Sequence, residues 1–118
     1  MYLNCFEEVK EITKELVNIP SIVKTDGETD CASWIYNYYK RLEYFIKNPK
    51  YLEFQQTERD EIERYNVISM VRGTKGTSNK TVILMGHLDT VGVDDFGIIE
   101  KHAFNPSGLP NILRGLKL

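Results

Sequence analysis

Apolar residues recur every three or four positions along two stretches near the start of the chain. The first stretch, residues 4–17, alternates these apolar positions with charged ones, as an amphipathic helix does. Asn4 is placed to cap this helix, Glu7 to complete a capping box, and Pro20 to end it. The second stretch keeps the same period from Glu28 to Asn48. It predicts a second helix of about five turns, which ends before a proline.

The period changes after residue 49. Short runs of β-branched and aromatic residues at 51–54 and 65–71 predict two strands, and the polar stretch 73–80 predicts a flexible connection. Residues 81–85 then form an unbroken apolar run, Thr-Val-Ile-Leu-Met, which is typical of a strand covered on both faces. We therefore predict a central strand there and mostly loop beyond Gly92. The fold class is predicted to be α/β, with two N-terminal helices packed on a mixed sheet of about three strands.

Composition is that of an ordinary globular domain and argues against several functions. The 118 residues are 42% hydrophobic and 27% charged, and their formal net charge is −2, which is close to globular averages. No basic run is present that could neutralise phosphates, so nucleic acid is not an expected partner. No apolar run approaches a membrane span or a signal-peptide core. We therefore expect a cytoplasmic protein without a membrane partner. Cys5 and Cys31 form no C-x-x-C pair and are expected to be reduced and mostly buried.

The stretch 86–90, Gly-His-Leu-Asp-Thr, follows directly on the predicted central strand. Ligands of open α/β sheets bind at the carboxyl ends of strands, and side chains alternate along an extended backbone. His87 and Asp89 should therefore point to the same side. A neutral imidazole binds zinc through one nitrogen, while a carboxylate that accepts the other N–H orients the ring. His87 is thus a candidate metal ligand, and Asp89 is the candidate carboxylate that orients it.

A structural explanation of the same residues remains open. A His-x-Asp tripeptide at a strand end also occurs as an ordinary hydrogen bond, and a zinc site needs three or four protein ligands. The other histidine, His102, lies in an irregular, charged context typical of a solvated loop. Asp94 and Asp95 are weak candidates for binding substrate, for example a cationic amino acid, because adjacent acidic residues in a glycine-rich loop are usually only solvated.

Taken in order, the motifs resemble the opening of a zinc peptidase family. These motifs are Ile19-Pro20-Ser21-Ile22 followed by Thr25, Gly27 and Glu28, then Tyr65-Asn66-Val67-Ile68, and finally the run from Val82 to Val91 that contains Gly86-His87-Leu88-Asp89-Thr90. The family includes acetylornithine deacetylase, succinyl-diaminopimelate desuccinylase, aminoacylase and carboxypeptidase G. The continuation at 92–97, with Ala-Phe-Asn-Pro at 103–106, is similar to the arginine-utilisation (arginine degradation) branch of that family.

The resemblance implies that residues 1–118 are the N-terminal part of a metallopeptidase catalytic domain with a partial three-layer α/β/α fold. It implies hydrolysis of an amide in an N-acyl amino acid or small peptide, with two Zn²⁺ ions, or Co²⁺ or Mn²⁺, in a complete site. By the family pattern, His87 binds one metal ion and Asp89 orients the His87 ring. The bridging aspartate, the Glu-Glu pair, the later ligands and the lid or dimerisation domain of the family have no match here. They are expected to lie downstream of Leu118.

Two consequences and two alternatives follow. The chain by itself is expected to be inactive and, because its predicted central strand would have unpaired edges, to self-associate. One alternative function is a non-catalytic α/β binding or regulatory module, or a degraded gene product, that retains the family fold. The other, a flavodoxin-like ligand binder, is disfavoured because no glycine-rich phosphate loop follows a strand.

Overall fold

The computed structural model of the chain describes residues 4–116. Helices and strands follow one another in the order α1 Cys5–Val17, α2 Gly27–Lys40, α3 Glu43–Lys47, β1 Leu52–Gln56, β2 Tyr65–Ser69 and α4 Leu109–Gly115, with 3-10 segments at Pro49–Tyr51 and Asp94–His102. None of these helices is long and apolar enough to cross a membrane.

Helix α1 confirms the first predicted helix. The Asn4 side chain caps it by accepting a hydrogen bond from the backbone N–H of Phe6 at 3.3 Å. The predicted capping box is wrong, because the Glu7 carboxylate pairs instead with the Lys10 ammonium, 3.4 Å away. Part of the apolar face is uncovered, since Phe6 is 67% and Val9 is 61% exposed.

The second predicted helix is interrupted. Helix α2 ends at Lys40, Leu42 takes the extended conformation (φ −73°, ψ 135°), and α3 begins at Glu43. The break allows Phe45 on α3 to lie under α2, where its ring centroid is 5.5 Å from that of Tyr39. Phe45 is only 6% exposed. Burial of this large ring explains why the chain gives up continuous helical hydrogen bonding at this point.

The two predicted strands form an antiparallel hairpin. Phe54 on β1 lies opposite Val67 on β2, and Gln56 lies opposite Tyr65. The Phe54 ring packs between two aromatic rings, 5.1 Å from Tyr36 of α2 and 4.3 Å from Tyr65, centroid to centroid. The Phe54–Tyr65 pair is stacked and the Phe54–Tyr36 pair is tilted, and these ring contacts attach the hairpin to α2 and form one side of the small core.

The predicted central strand is wrong. Residues 81–85 belong to no strand, and Val82, Ile83, Leu84 and Met85 are 78–93% exposed. A strand exists only where a neighbouring backbone completes its hydrogen bonds, and the described chain places none beside this run. The sheet is consequently two-stranded and antiparallel instead of mixed with about three strands, so α/β holds only as the coarse class. The three-layer zinc-peptidase arrangement is not formed by residues 4–116.

The last third of the chain contains more helix than predicted. The stretch 73–80 has no helix or strand, as expected, but residues 94–102 form 3-10 turns that are interrupted at Gly97, where φ is +52°. Helix α4 follows, with Pro110 in its first turn, a position that suits the fixed φ of proline.

The cysteines differ from each other. Both are free thiols, but Cys5 is exposed, contrary to the prediction, whereas Cys31 is buried between α2 and the loop before it. Burial raises the pKa of the Cys31 thiol, and a hydrogen bond with Ser21 partly offsets that effect.

Candidate functional site

The His87 side chain contacts Asp89, although the strand from which their common orientation was predicted is not formed. The His87 Nδ1 atom lies 2.9 Å from the backbone carbonyl oxygen of Asp89 and 3.3 Å from its carboxylate oxygen Oδ1. Both acceptors face the same ring nitrogen, so Nδ1 carries the proton in the neutral tautomer that they favour, and Nε2 retains its lone pair. The side chain of His87 is 83% exposed and that of Asp89 is 44% exposed.

A short parallel β-bridge holds the residue that follows this pair. The Thr90 N–H donates to the Ser21 carbonyl at 2.8 Å, and the Val23 N–H donates to the Thr90 carbonyl at 2.9 Å. The Ile-Pro-Ser-Ile loop and the Gly-His-Leu-Asp-Thr stretch are thus neighbours in space, although about 65 residues separate them in sequence. Sequence reasoning had linked these two motifs by resemblance alone and had not predicted their contact.

The loop that makes the bridge is itself fixed by the start of α2. Gly27 packs so closely on Pro20 that a Cβ atom at position 27 would lie 2.0 Å from the Pro20 carbonyl oxygen. Ser21 is 3% exposed, and its side chain lies beside the buried Cys31 thiol. Glycine at 27 is therefore required by space, and no bulkier residue fits without moving the Pro20–Ser21 backbone.

A charged cluster anchors the same end of α2 to the hairpin. The Glu28 carboxylate accepts from Arg64 Nε at 2.7 Å, and Arg64 Nη1 donates to both oxygens of Asp60 at 2.8 and 2.9 Å. The hydrogen bond to Glu28, followed by that to Asp60, raises the pKa of the Arg64 guanidinium. Burial pulls the pKa of Asp60 upward, but hydrogen bonds from Thr57 and Arg64 outweigh it and leave that pKa below its ordinary value.

The weaker candidates lie apart from this loop. Asp94 and Asp95 begin the 3-10 stretch and are both exposed, and His102, which ends it, is half-buried. Two open clefts of about 540 and 480 Å³ occur in the structure. The first is lined by Val93, Ile98, Glu100, Lys101 and Phe104, and the second by residues of α1 and α2 together with Arg41. Neither lining includes the His87–Asp89 pair.

Among residues 4–116, no three His, Cys, Asp or Glu side chains come close enough to hold a metal ion. The pair supplies one nitrogen ligand with an orienting carboxylate. Closed zinc sites use four protein ligands and open catalytic sites use three. The described residues can therefore supply one ligand of a metal site, but they do not form a complete metal site.

Comparison with known proteins gives two related sequences. No family model and no solved structure matches the chain. It is 36% identical over 104 residues to Protein RocB of Bacillus subtilis (strain 168), a match that covers 88% of this chain and 18% of that protein. It is 28% identical over 103 residues to Uncharacterized protein YqjN of the same organism, covering 87% of this chain and 18% of that protein. The chain is therefore homologous, over most of its own length, to a part of Protein RocB that makes up 18% of that relative.

Proposed function

We propose that this chain carries one ligand position of a metal-dependent amidohydrolase, with His87 as the ligand and Asp89 as its orienting carboxylate. This chain spans 18% of the length of each relative. The remaining metal ligands and the general base would come from polypeptide that corresponds to the other parts of those relatives. Alone, the chain would be inactive.

The observation that carries the proposal is the contact of His87 Nδ1 with Asp89. The backbone carbonyl oxygen of Asp89 accepts a hydrogen bond from Nδ1 at 2.9 Å, and the carboxylate oxygen Oδ1 lies 3.3 Å from the same nitrogen, so the ring is oriented and its tautomer is set. Nε2 is the nitrogen left for a metal ion. A zinc ion at such a site would polarise the substrate carbonyl and lower the pKa of a bound water.

The substrate class follows from the resemblance to the arginine-utilisation branch of the zinc peptidases and is supported by the similarity to Protein RocB. We propose an N-acyl amino acid or small peptide whose amide bond is cleaved. Asp94 and Asp95 are exposed carboxylates two and three residues beyond Gly92, and they would attract a substrate with a cationic side chain.

The test is a chimera in which this chain replaces the matching stretch of Protein RocB. We expect the chimera to bind zinc in calorimetry and His87→Ala to remove most of that affinity. Asp89→Asn should weaken binding about 10- to 100-fold, as losses of an orienting partner do. His102→Ala is the matched control, because His102 has no role in the proposed site, and it should leave the affinity unchanged.

The isolated chain is the second arm of this test. It should bind zinc weakly and hydrolyse no N-acyl amino acid, because one imidazole cannot enclose the ion. Nanomolar zinc binding by the chain alone would contradict the proposal, and so would a chimera whose affinity ignores His87. A folded chimera that binds no zinc would favour the non-catalytic binding module instead.

A further inference from the structure

Within residues 4–116, the bridge at Thr90 is the sole polar connection between residues 73–116 and residues 4–72. Within the described residues, no hydrogen bond or ion pair joins residues 73–116 to residues 4–72 except the two backbone bonds that Thr90 makes with Ser21 and Val23. The His87–Asp89 pair lies on the far side of this connection. Its position relative to the rest of the chain is therefore determined at Thr90.

The other side of the bridge is held by steric contact. Gly27 is the first residue of α2, and its Cα faces the Pro20 carbonyl group: an added Cβ would lie 2.0 Å from Pro20 O and 3.1 Å from Ser21 Cα. Real Cβ atoms do not approach a carbonyl oxygen this closely. Any side chain at 27 would push the Pro20–Ser21 peptide away from the helix, and that peptide leads directly to the Ser21 carbonyl that accepts from Thr90.

We infer that Gly27 is a positioning residue for the His87–Asp89 pair, which it places through Ser21 and Thr90. The metal-binding consequence rests on the function proposed above, whereas the positioning itself does not. The requirement at Gly27 is one of space, since Gly27 is not among the residues with positive φ. The burial of Ser21 adds to the effect, because this residue is only 3% exposed beside the buried face of α2.

The experiment compares Gly27→Ala with Gly86→Ala in the full chain. Both changes remove the same backbone freedom from the unfolded chain. A Cβ at Gly86, directly beside His87, would meet no atom within 4 Å. The readouts are amide hydrogen exchange of Thr90 and Val23 and the NMR contact between the His87 ring and Asp89.

We expect Gly27→Ala to raise the exchange rates of the Thr90 and Val23 amides to those of the exposed run 82–85. The amides of the β1–β2 ladder should keep their protection, because the opening is local. The NMR contact of His87 with Asp89 should weaken. Gly86→Ala should change neither readout. Unchanged protection of Thr90 in a folded Gly27→Ala protein would overturn the inference.

A second variant covers the case in which Gly27→Ala does not fold. Val23→Pro removes the N–H that donates to the Thr90 carbonyl, and it leaves α2, His87 and Asp89 chemically intact. It should release the Thr90 amide in the same way. Retained protection of Thr90 in this variant would also overturn the inference.

Zinc titration of the chimera with Protein RocB separates this inference from the proposed function. If the chimera binds zinc through His87, Gly27→Ala should weaken that binding about 10- to 100-fold, in the range for partners that orient a ligand. If the chimera binds no zinc while Gly27→Ala still releases the Thr90 amide of the chain, the positioning stands and the metal role fails.

Discussion

At the scale of single residues, the charge on Glu28 requires a partner. Glu28 is 8% exposed and is the one charged residue that is buried within residues 4–116. A buried charge is costly unless it is paired and hydrogen-bonded, and Arg64 Nε supplies the partner at 2.7 Å. The pair joins the start of α2 to the residue that precedes β2. It therefore supports the loop on which the bridge to Thr90 depends.

Glu28→Gln tests this pair. Glutamine keeps one acceptor oxygen but removes the negative charge that pairs with the Arg64 guanidinium, so we expect the free energy of unfolding to fall by about 1–3 kcal/mol. Urea unfolding followed by Trp34 fluorescence measures it. Glu43→Gln is the matched control: its pair with Lys47 is largely exposed and should contribute about 0–1 kcal/mol. Equal losses in the two variants would show that burial of Glu28 is unimportant.

Acid should destabilise the same cluster through Asp60. The folded chain holds the pKa of Asp60 below its ordinary value of 3.8, because hydrogen bonds from Thr57 and Arg64 outweigh burial. The unfolded state then binds more protons, so the contribution of Asp60 is complete above about pH 3.8 and is lost as pH falls through the folded-state pKa. Unfolding midpoints of the wild type and Asp60→Asn should differ at pH 6 and converge near pH 2. A difference that persists at low pH would contradict this.

At the scale of elements, aromatic contacts connect the hairpin to the helices. Phe54 is half-buried, with its ring between Tyr36 and Tyr65. A fully buried Phe costs about 3–5 kcal/mol when truncated to Ala, so we expect about 2 kcal/mol for Phe54→Ala. Thermal unfolding checks this, and Phe6→Ala provides the control. Phe6 is 67% exposed on α1, so its loss should change stability by less than about 0.5 kcal/mol.

At the scale of the whole molecule, the chain exposes more surface than a compact monomer. Its accessible area is 10042 Å², against roughly 6,600 Å² expected for a compact protein of this mass. The radius of gyration is 17.7 Å, whereas a compact domain of this length has about 13.5 Å. The exposed apolar run 82–85 accounts for part of the difference. Such a run, with unpaired backbone groups and no charge, is a site for association.

We therefore expect the isolated chain to self-associate at micromolar concentration in sedimentation velocity. Replacing two exposed apolar residues of the run, Ile83→Lys with Met85→Lys, should shift the distribution toward monomer, because charge opposes strand pairing. Ile98→Lys is the control, since Ile98 is 88% exposed but lies outside the run. A sharp monomer peak for the unmodified chain would contradict the expectation.

Sequence patterns by themselves determined the helices and strands that depend mainly on neighbouring residues in the sequence. Helix α1 and the two strands of the hairpin were predictable because helical and strand periods are properties of neighbouring residues. The contact of His87 with Asp89 also joins residues close in sequence, but the strand from which a shared side was expected is not formed, and the hydrogen bond goes to the Asp89 backbone. Whether this pair binds a metal ion depends on other ligand groups outside the pair. The metal-binding role of His87 therefore remains a prediction.

The tertiary structure decided those features that depend on contact with residues far away in the sequence. Residues 81–85 have the composition of a buried strand, but a strand also needs a neighbouring backbone, and the described chain places none beside them. Helix α2 stops at Lys40 because the chain turns away from the helix axis there and so buries Phe45. The period of apolar residues along the sequence does not indicate this turn. The bridge at Thr90 depends on the space that Gly27 leaves for Pro20. Steric fit between segments far apart in sequence leaves no periodic signal, so only the folded chain could show it.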